Sequence, residues 1–247
     1  MNASWRHALG VLLLAGLLFF FWRSARLGWL AWQTAETGRQ AAAALQSDAG
    51  QAPAQLALFA SSLDTLNREV QPLAPALRLL ANLPDQGRLL AAAPDLTAAA
   101  AQLGSHLPWL LGMDAPRTYL VLVQNNHELR ATGGFISAFG RLTIAQGRIA
   151  ALQFVDSYTV FSSQSEYPPA PQPMQDYMGI QLQVARDANW SPDLPTTAAA
   201  LLPLYTQDTG VTVDGVLTLD IYALKHLVAA MPGLRVEGVN EPLTPEN

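Results

Sequence analysis

Fifteen consecutive residues without a charge, Ala8 to Trp22, constrain this chain more than any other stretch, and ten of them are Leu, Val or Phe. Each of those residue types favours insertion into a bilayer by about 0.3–0.6 kcal/mol. At 1.5 Å per residue the run covers about 22 Å, short of a hydrocarbon thickness of about 30 Å. Trp5 on one side and Leu27 to Trp32 on the other can lengthen it if Arg23 and Arg26, neighbours at i, i+3, snorkel together to the interface. Trp22, Trp29 and Trp32 then form an aromatic belt. The expectation is an uncleaved transmembrane anchor with its flanks over residues 1–32, a signal-anchor. A cleaved signal peptide is the alternative, but large and charged residues follow Trp22 where a small-x-small cleavage site is needed. Arg6 precedes the run while Arg23 and Arg26 follow it, so charge alone favours a cytoplasmic C-terminal side.

Composition narrows the rest. Of 247 residues, 50% are hydrophobic and only 13% charged, against roughly 25% charged in an ordinary soluble domain, which argues against a disordered chain and allows a sizeable core. The formal net charge is −5, and the basic residues, scattered Arg with the one Lys225, make no phosphate-tracking patch, so no nucleic-acid partner is expected. Cys is absent. That removes disulfides, thiolate zinc sites and a Cys nucleophile from consideration.

Residues 33–112 read as a helical stalk or bundle. Leu56, Phe59, Leu63, Leu66, Val70, Leu73, Leu77 and Leu80 are spaced alternately by three and four, a seam over 56–80 that calls for a helix partner, either within the chain or on another protein. Pro72 and Pro75 interrupt it, so a kinked helix or two shorter ones is expected. Further helices are expected near 85–92 and 95–104. Residues 113–247 change pattern to runs rich in Val, Ile and aromatics, with strands expected at Thr118–Val123, Phe135–Ile144, Arg148–Asp156, Gly215–Leu219 and Leu234–Val236. Gln146-Gly147 is the expected hairpin turn. Helices are expected at Pro195–Tyr205 and Ile221–Met231, the latter stopped by Pro232-Gly233. This alternation gives an α/β class: a mixed β-sheet flanked by helices, preceded by a transmembrane helix and a helical stalk.

Most familiar catalytic signatures fail. His127-Glu128 lacks the second His of a zincin because Ala131 stands there. Asp208-Thr209-Gly210 spells an aspartic-protease triplet but sits where a helix should end, so Gly210 reads as a C-cap. Gly133-Gly134 lacks phosphate-loop spacing. What remains is the segment Asn125 to Phe135, dense in donors after the first apolar strand, where α/β folds place ligand loops, with Asp156-Ser157 closing the third strand and Arg186 to Asp193 before a helix. If these loops converge, Arg130 and Arg186 offer two planar guanidinium forks, and Asp156, Asp187 and Asp193 offer hard oxygens. Such a set suits a metal-bound pyrophosphate. The structural alternative is that Arg130 with Glu128, and Arg186 with Asp187 or Asp193, are ion pairs that only hold loops in place.

The strings "QNNHELRATGGFISAFG" and "GRI", then Asp156-Ser157, "RDANWSPDLPTTA" and "TGVTVDGVLTLD", resemble a bacterial envelope family, domain of unknown function 4012, over roughly residues 115–240. The resemblance implies one N-terminal span, an extracytoplasmic C-terminal domain, and a chain continuing past Asn247. That family is in turn similar, distantly, to the LytR-CpsA-Psr phosphotransferases, which move glycopolymers from a polyprenyl-pyrophosphate carrier onto the cell wall. By position, Arg130 with Thr132 resembles their first Arg and Asp-Thr element, Asp156 their Pro-Arg-Asp element, and Arg186 to Asn189 their Lys/Arg-Asn segment. Thr132-Gly133 stands in place of Asp-Thr, and Val155 in place of the Arg before Asp156.

The functional expectation is therefore a single-pass protein of the cytoplasmic membrane whose extracytoplasmic domain binds a polyprenyl-phosphate lipid or cell-wall glycan. Arg130, Asp156, Arg186 and Asp187 are the candidate catalytic residues, and Asn126, Thr132, Asn189 and Asp193 the candidate substrate contacts. Asp156 and Asp187 are the candidate ligands of a Mg2+ ion. The competing expectation is a non-catalytic scaffold or accessory subunit that docks a helix through 56–80.

Overall fold

The computed structural model describes residues 3–47, 50–83, 86–231, 233–235 and 241–245, with side chains from Leu14 onward. The chain divides into two compact units, Met1–Pro116 with Ala145–Arg148, and Arg117–Ile144 with Ile149–Asn247.

The first unit is helical: α1 (Ala3–Ser47), α2 (Ala52–Val70), α3 (Ala74–Arg78) and α4 (Gln86–Leu110). Small residues let α1 and α2 approach closely, with Ala41, Ala44, Ala52 and Leu56 buried together. The two helices run antiparallel, as the Thr37 and Ser62 hydroxyls at 2.8 Å and the Arg23–Glu69 pair further along show. The apolar seam finds partners within the chain. Leu56 and Val70 are buried, and Leu63 packs so closely on α4 that a Cβ on Gly104 would lie 2.7 Å from its Cδ1. Pro72 and Pro75 break the helix as expected, leaving two 3-10 turns, Gln71–Leu73 and Leu79–Asn82, around the short α3.

One sequence expectation changes here. Residues 85–92 and 95–104 do not form separate helices: α4 runs unbroken through Pro94, which is buried and whose carbonyl accepts from Gln71 Nε2 at 2.8 Å, so packing overrides a weak helix position. α1 extends through Leu27–Trp32 as expected, and there it packs on α2: Leu30 and Thr34 are buried, and Thr34 Oγ1 lies 3.3 Å from the Ser62 carbonyl. At its other end α1 begins at Ala3. Among the described residues, no helix is long and apolar enough to cross a membrane; the side chains before Leu14 lie outside them.

The second unit is a mixed α/β domain. Its four strands, β1 (Arg117–Asn125), β2 (Phe135–Ala145), β3 (Arg148–Asp156) and β4 (Gly215–Asp220), lie in the order β3-β2-β1-β4. β1 pairs antiparallel with β2, with a register shift between Val123 and Gln124, and parallel with β4. The β2–β3 turn is Gln146-Gly147, with φ of 50° and 71°, a mirror-image turn that Gly adopts without strain. Helices α5 (Gln172–Met178), α6 (Leu194–Thr209) and α7 (Ile221–Ala230) complete the unit. Leu120, Leu122, Ile136 and Phe139 of the sheet pack on Leu201, Leu204 and Tyr205 of α6. Gly210, at φ 69°, closes α6, so the Asp-Thr-Gly triplet is a helix end. The helix passes Pro203 to reach it. Leu234 and Arg235 are not in a strand, contrary to expectation, and Val236 lies outside the described residues.

Phe139, 1% exposed and 5.4 Å ring to ring from Tyr205, sits at the centre of that core. Phe139→Ala is expected to lower unfolding free energy by about 3–5 kcal/mol in denaturant titrations; a loss under about 1 kcal/mol would contradict the packing described.

Candidate functional site

The loop between β1 and β2 is built by its own backbone. Glu128 N donates to the Asn125 carbonyl at 3.1 Å, Gly133 N to the Arg130 carbonyl at 3.0 Å, and Phe135 N to the Glu128 carbonyl at 2.8 Å. Two glycines make this possible. Gly133 takes φ 119°, and a Cβ on Gly134 would collide with the Asn125 carbonyl. Gly133-Gly134 is thus a turn device.

Asn189 fastens this loop to the segment before α6. Its side chain is fully buried, and Nδ2 donates to Thr132 Oγ1 at 3.0 Å and to the Gly134 carbonyl at 2.8 Å. Gln124 Nε2 donates to the same Thr132 hydroxyl at 2.5 Å. Arg130 and Arg186 therefore meet. Arg130 Nη2 stands 3.9 Å from Asp187 Oδ1 and Arg186 Nε 3.6 Å from Asp187 Oδ2, with Asp187 5% exposed. Both separations exceed hydrogen-bond length. The guanidiniums lie over aromatic faces, Arg130 5.4 Å from the Phe135 ring centre and Arg186 4.5 Å from that of Tyr158, and the two rings are 6.0 Å apart. Phe135 and Tyr158, tilted by 46° to one another, form an aromatic shelf with one cation against each ring.

Polar capacity is left over. Among the described residues, Arg130 Nε, Ser157 Oγ and Asn189 Oδ1 are buried with no hydrogen-bond partner. Burial pushes the Asp187 carboxyl above the usual carboxylate range, against the opposing pull of Arg186 and then Arg130.

The expected residues thus divide. Arg130, Thr132, Arg186, Asp187 and Asn189 come together. Asp156 ends β3 and accepts from Tyr158 N at 2.8 Å, positioning the aromatic shelf. Asn126 clamps the start of α7, donating to Asp220 Oδ2 at 3.1 Å and accepting from Ile221 N at 3.0 Å. Asp193 caps α6, and hydrogen bonds from the Thr196 hydroxyl and amide hold its carboxyl below the usual range. Phe135 and Tyr158 are the participants sequence reasoning did not assign, since no spacing rule links residues so far apart.

Among the described residues, no group of three or more His, Asp or Glu side chains could hold a metal ion. Asp187 already faces two guanidiniums and Asp156 is engaged by its own backbone, so these carboxylates do not make a metal site by themselves. Chemically, the arrangement is an anion cradle with an internal carboxylate in it.

The raised Asp187 pKa carries a sign. Folding favours its protonated form, so its stabilising contribution is full at low pH and is lost as pH rises through the folded-state value. The stability of the wild type relative to Asp187→Asn should therefore decline as pH is raised through the acid range, followed by denaturant unfolding of both proteins; a difference that grows with pH would contradict the burial argument.

No curated protein and no solved structure matches this chain. A family model, protein of unknown function (DUF4012), matches residues 114–247, more than half of the chain and all of the residues that build the cradle. On that match the chain belongs to the DUF4012 family, whose description assigns no activity.

Proposed function

We propose that this is a membrane-anchored extracytoplasmic protein of the cell envelope whose α/β domain binds a polyprenyl-pyrophosphate-linked glycan. The observation that carries the reading is that Arg130 and Arg186, 56 positions apart in the chain, face one buried carboxylate over a shared aromatic shelf. Two guanidinium forks aimed at one point suit a diphosphate, whose oxygens would take the place of the Asp187 carboxylate and supply the hydrogen bonds that Arg130 Nε lacks. The distant similarity of the surrounding motifs to the LytR-CpsA-Psr phosphotransferases supports the diphosphate over other anions and supports an outward-facing domain.

Glycopolymer transfer is the reaction this reading extends to. An acceptor hydroxyl attacks the phosphorus bearing the glycan, the bridging P–O bond breaks, and polyprenyl phosphate leaves with its charge offset by the two arginines. Asp187, whose pKa is raised by burial, is the carboxylate we assign to taking the hydroxyl proton. A Mg2+ ion would enter this reading only as a companion of the diphosphate, offsetting its charge. In this reading the N-terminal anchor is the apolar run Ala8–Trp22 with its flanks over residues 1–32, carried on α1.

A second reading, a non-catalytic scaffold or accessory subunit, draws on Leu96, Leu103 and Trp109, which α4 leaves exposed. Titration of the full chain in detergent with a polyprenyl diphosphate separates the two. Arg130→Ala and Arg186→Ala should each weaken binding by about 10- to 150-fold, equivalent to one charge-assisted interaction of about 1.5–3 kcal/mol. Asp187→Asn should strengthen binding while abolishing transfer. Absence of binding, or binding indifferent to both arginines, leaves the scaffold reading.

A further inference from the structure

The first unit fixes which end of its helices lies beside the anchor. Glu69, near the end of α2, is gripped by Arg23 Nη1 at 2.8 Å and Arg26 Nη2 at 2.6 Å, the first charges after the apolar run. Because α2 runs antiparallel to α1, whatever follows Glu69 continues toward Trp22. Helix α4 returns from the same end: Gln71 Nε2 donates to the Pro94 carbonyl at 2.8 Å, and Thr97 Oγ1 lies 3.2 Å from Asn67 Oδ1. Leu89 and Leu90 thus lie about 6–8 Å beyond Pro94 in the direction of the anchor.

This end is apolar where a water-facing hairpin end would be polar. Leu79 is 80% exposed and Leu89 65%, and Leu83 and Leu90 are exposed beside them. Over residues 70–94 the charges are Arg78, Arg88 and Asp85. Arg78 reaches Asp95 at 3.3 Å, both largely exposed. The end is also held in shape, because Gly87 is buried so tightly against Leu83 and the Leu80 carbonyl that a Cβ would collide with both.

We infer that residues 71–83 and 86–90 form a second membrane contact. Their leucines enter the lipid interface beside the anchor, and Arg78 and Arg88 lie at the level of anionic headgroups. The inference rests on the anchor reading above, since it is the continuation of α1 into Ala8–Trp22 that sets the level of the bilayer. It assigns the Arg23–Arg26–Glu69 cluster a purpose: a charge-compensated ring at the boundary, so that both arginines reach the interface already partnered. A protein covering the same leucines is the competing occupant.

The chain has no Cys, so single cysteines report one position each. Full-length protein carrying Leu79→Cys, Leu89→Cys, Phe20→Cys or Leu58→Cys is labelled with a polarity-sensitive fluorophore and reconstituted in phosphatidylethanolamine–phosphatidylglycerol vesicles containing brominated lipid. Labels at 79 and 89 should be quenched at least half as strongly as the label at 20, while 58, on α2 well away from Glu69, stays unquenched. Quenching at 20 with 79 and 89 at the level of 58 overturns the inference and leaves the anchor standing. Silence at all four positions overturns both. Blue-shifted emission at 79 and 89 without lipid quenching assigns the surface to a protein and likewise overturns it.

Discussion

One buried side chain amide organises the second unit. Asn189 is fully buried, and its two donated hydrogen bonds end on Thr132 and Gly134, 57 and 55 positions earlier in the chain. A buried amide left unpaired would lose about 1–3 kcal/mol, so the two loops cannot drift apart without exposing or orphaning it. With Gln124 bonded to the same Thr132 hydroxyl, the end of β1, the loop that follows and the segment before α6 behave as one piece. Arg130 and Arg186 are carried to a common point because their backbones are tied together two or three residues away.

The electrostatics of that point differ from a structural ion pair. A buried pair that serves stability closes its hydrogen bonds, because desolvation of both charges is repaid only by good geometry. Here the separations are 3.6 and 3.9 Å, Arg130 Nε is orphaned, and the carboxylate between the cations is pushed toward its protonated form by burial. Two guanidiniums face one carboxylate, so positive charge exceeds negative charge between these three groups. An anion richer in acceptor oxygens than one carboxylate would satisfy the site better than Asp187 does.

Much of the fold was legible in the sequence, for local reasons. The span of β3, Arg148–Asp156, and the Gln146-Gly147 turn follow from an apolar, aromatic-containing run preceded by a residue pair suited to positive φ. Gly210 as a helix end follows from its place between an apolar helix and a strand. The unbroken α4 was not legible, because the packing that carries it through Pro94 comes from Gln71, 23 residues away. In the site, the partnership of Arg130 with Arg186 could be expected from polar loops at strand ends. The division of the remaining residues could not: Asn126 and Asp193 carry the same donors and acceptors as a ligand contact, and only coordinates reveal that α7 and α6 use them as caps. Phe135 and Tyr158 escape pattern reading because a cation over a ring leaves no trace in spacing.

The shared cradle is tested most directly by the arginine side-chain NεH resonances of the full chain in detergent, recorded by nuclear magnetic resonance while inorganic pyrophosphate is added. If both guanidiniums close on one anion, the Arg130 and Arg186 signals shift together along a single saturation curve, and other arginines such as Arg68 and Arg141 stay in place. Unchanged signals, or shifts at only one of the two residues, would contradict a common anion site.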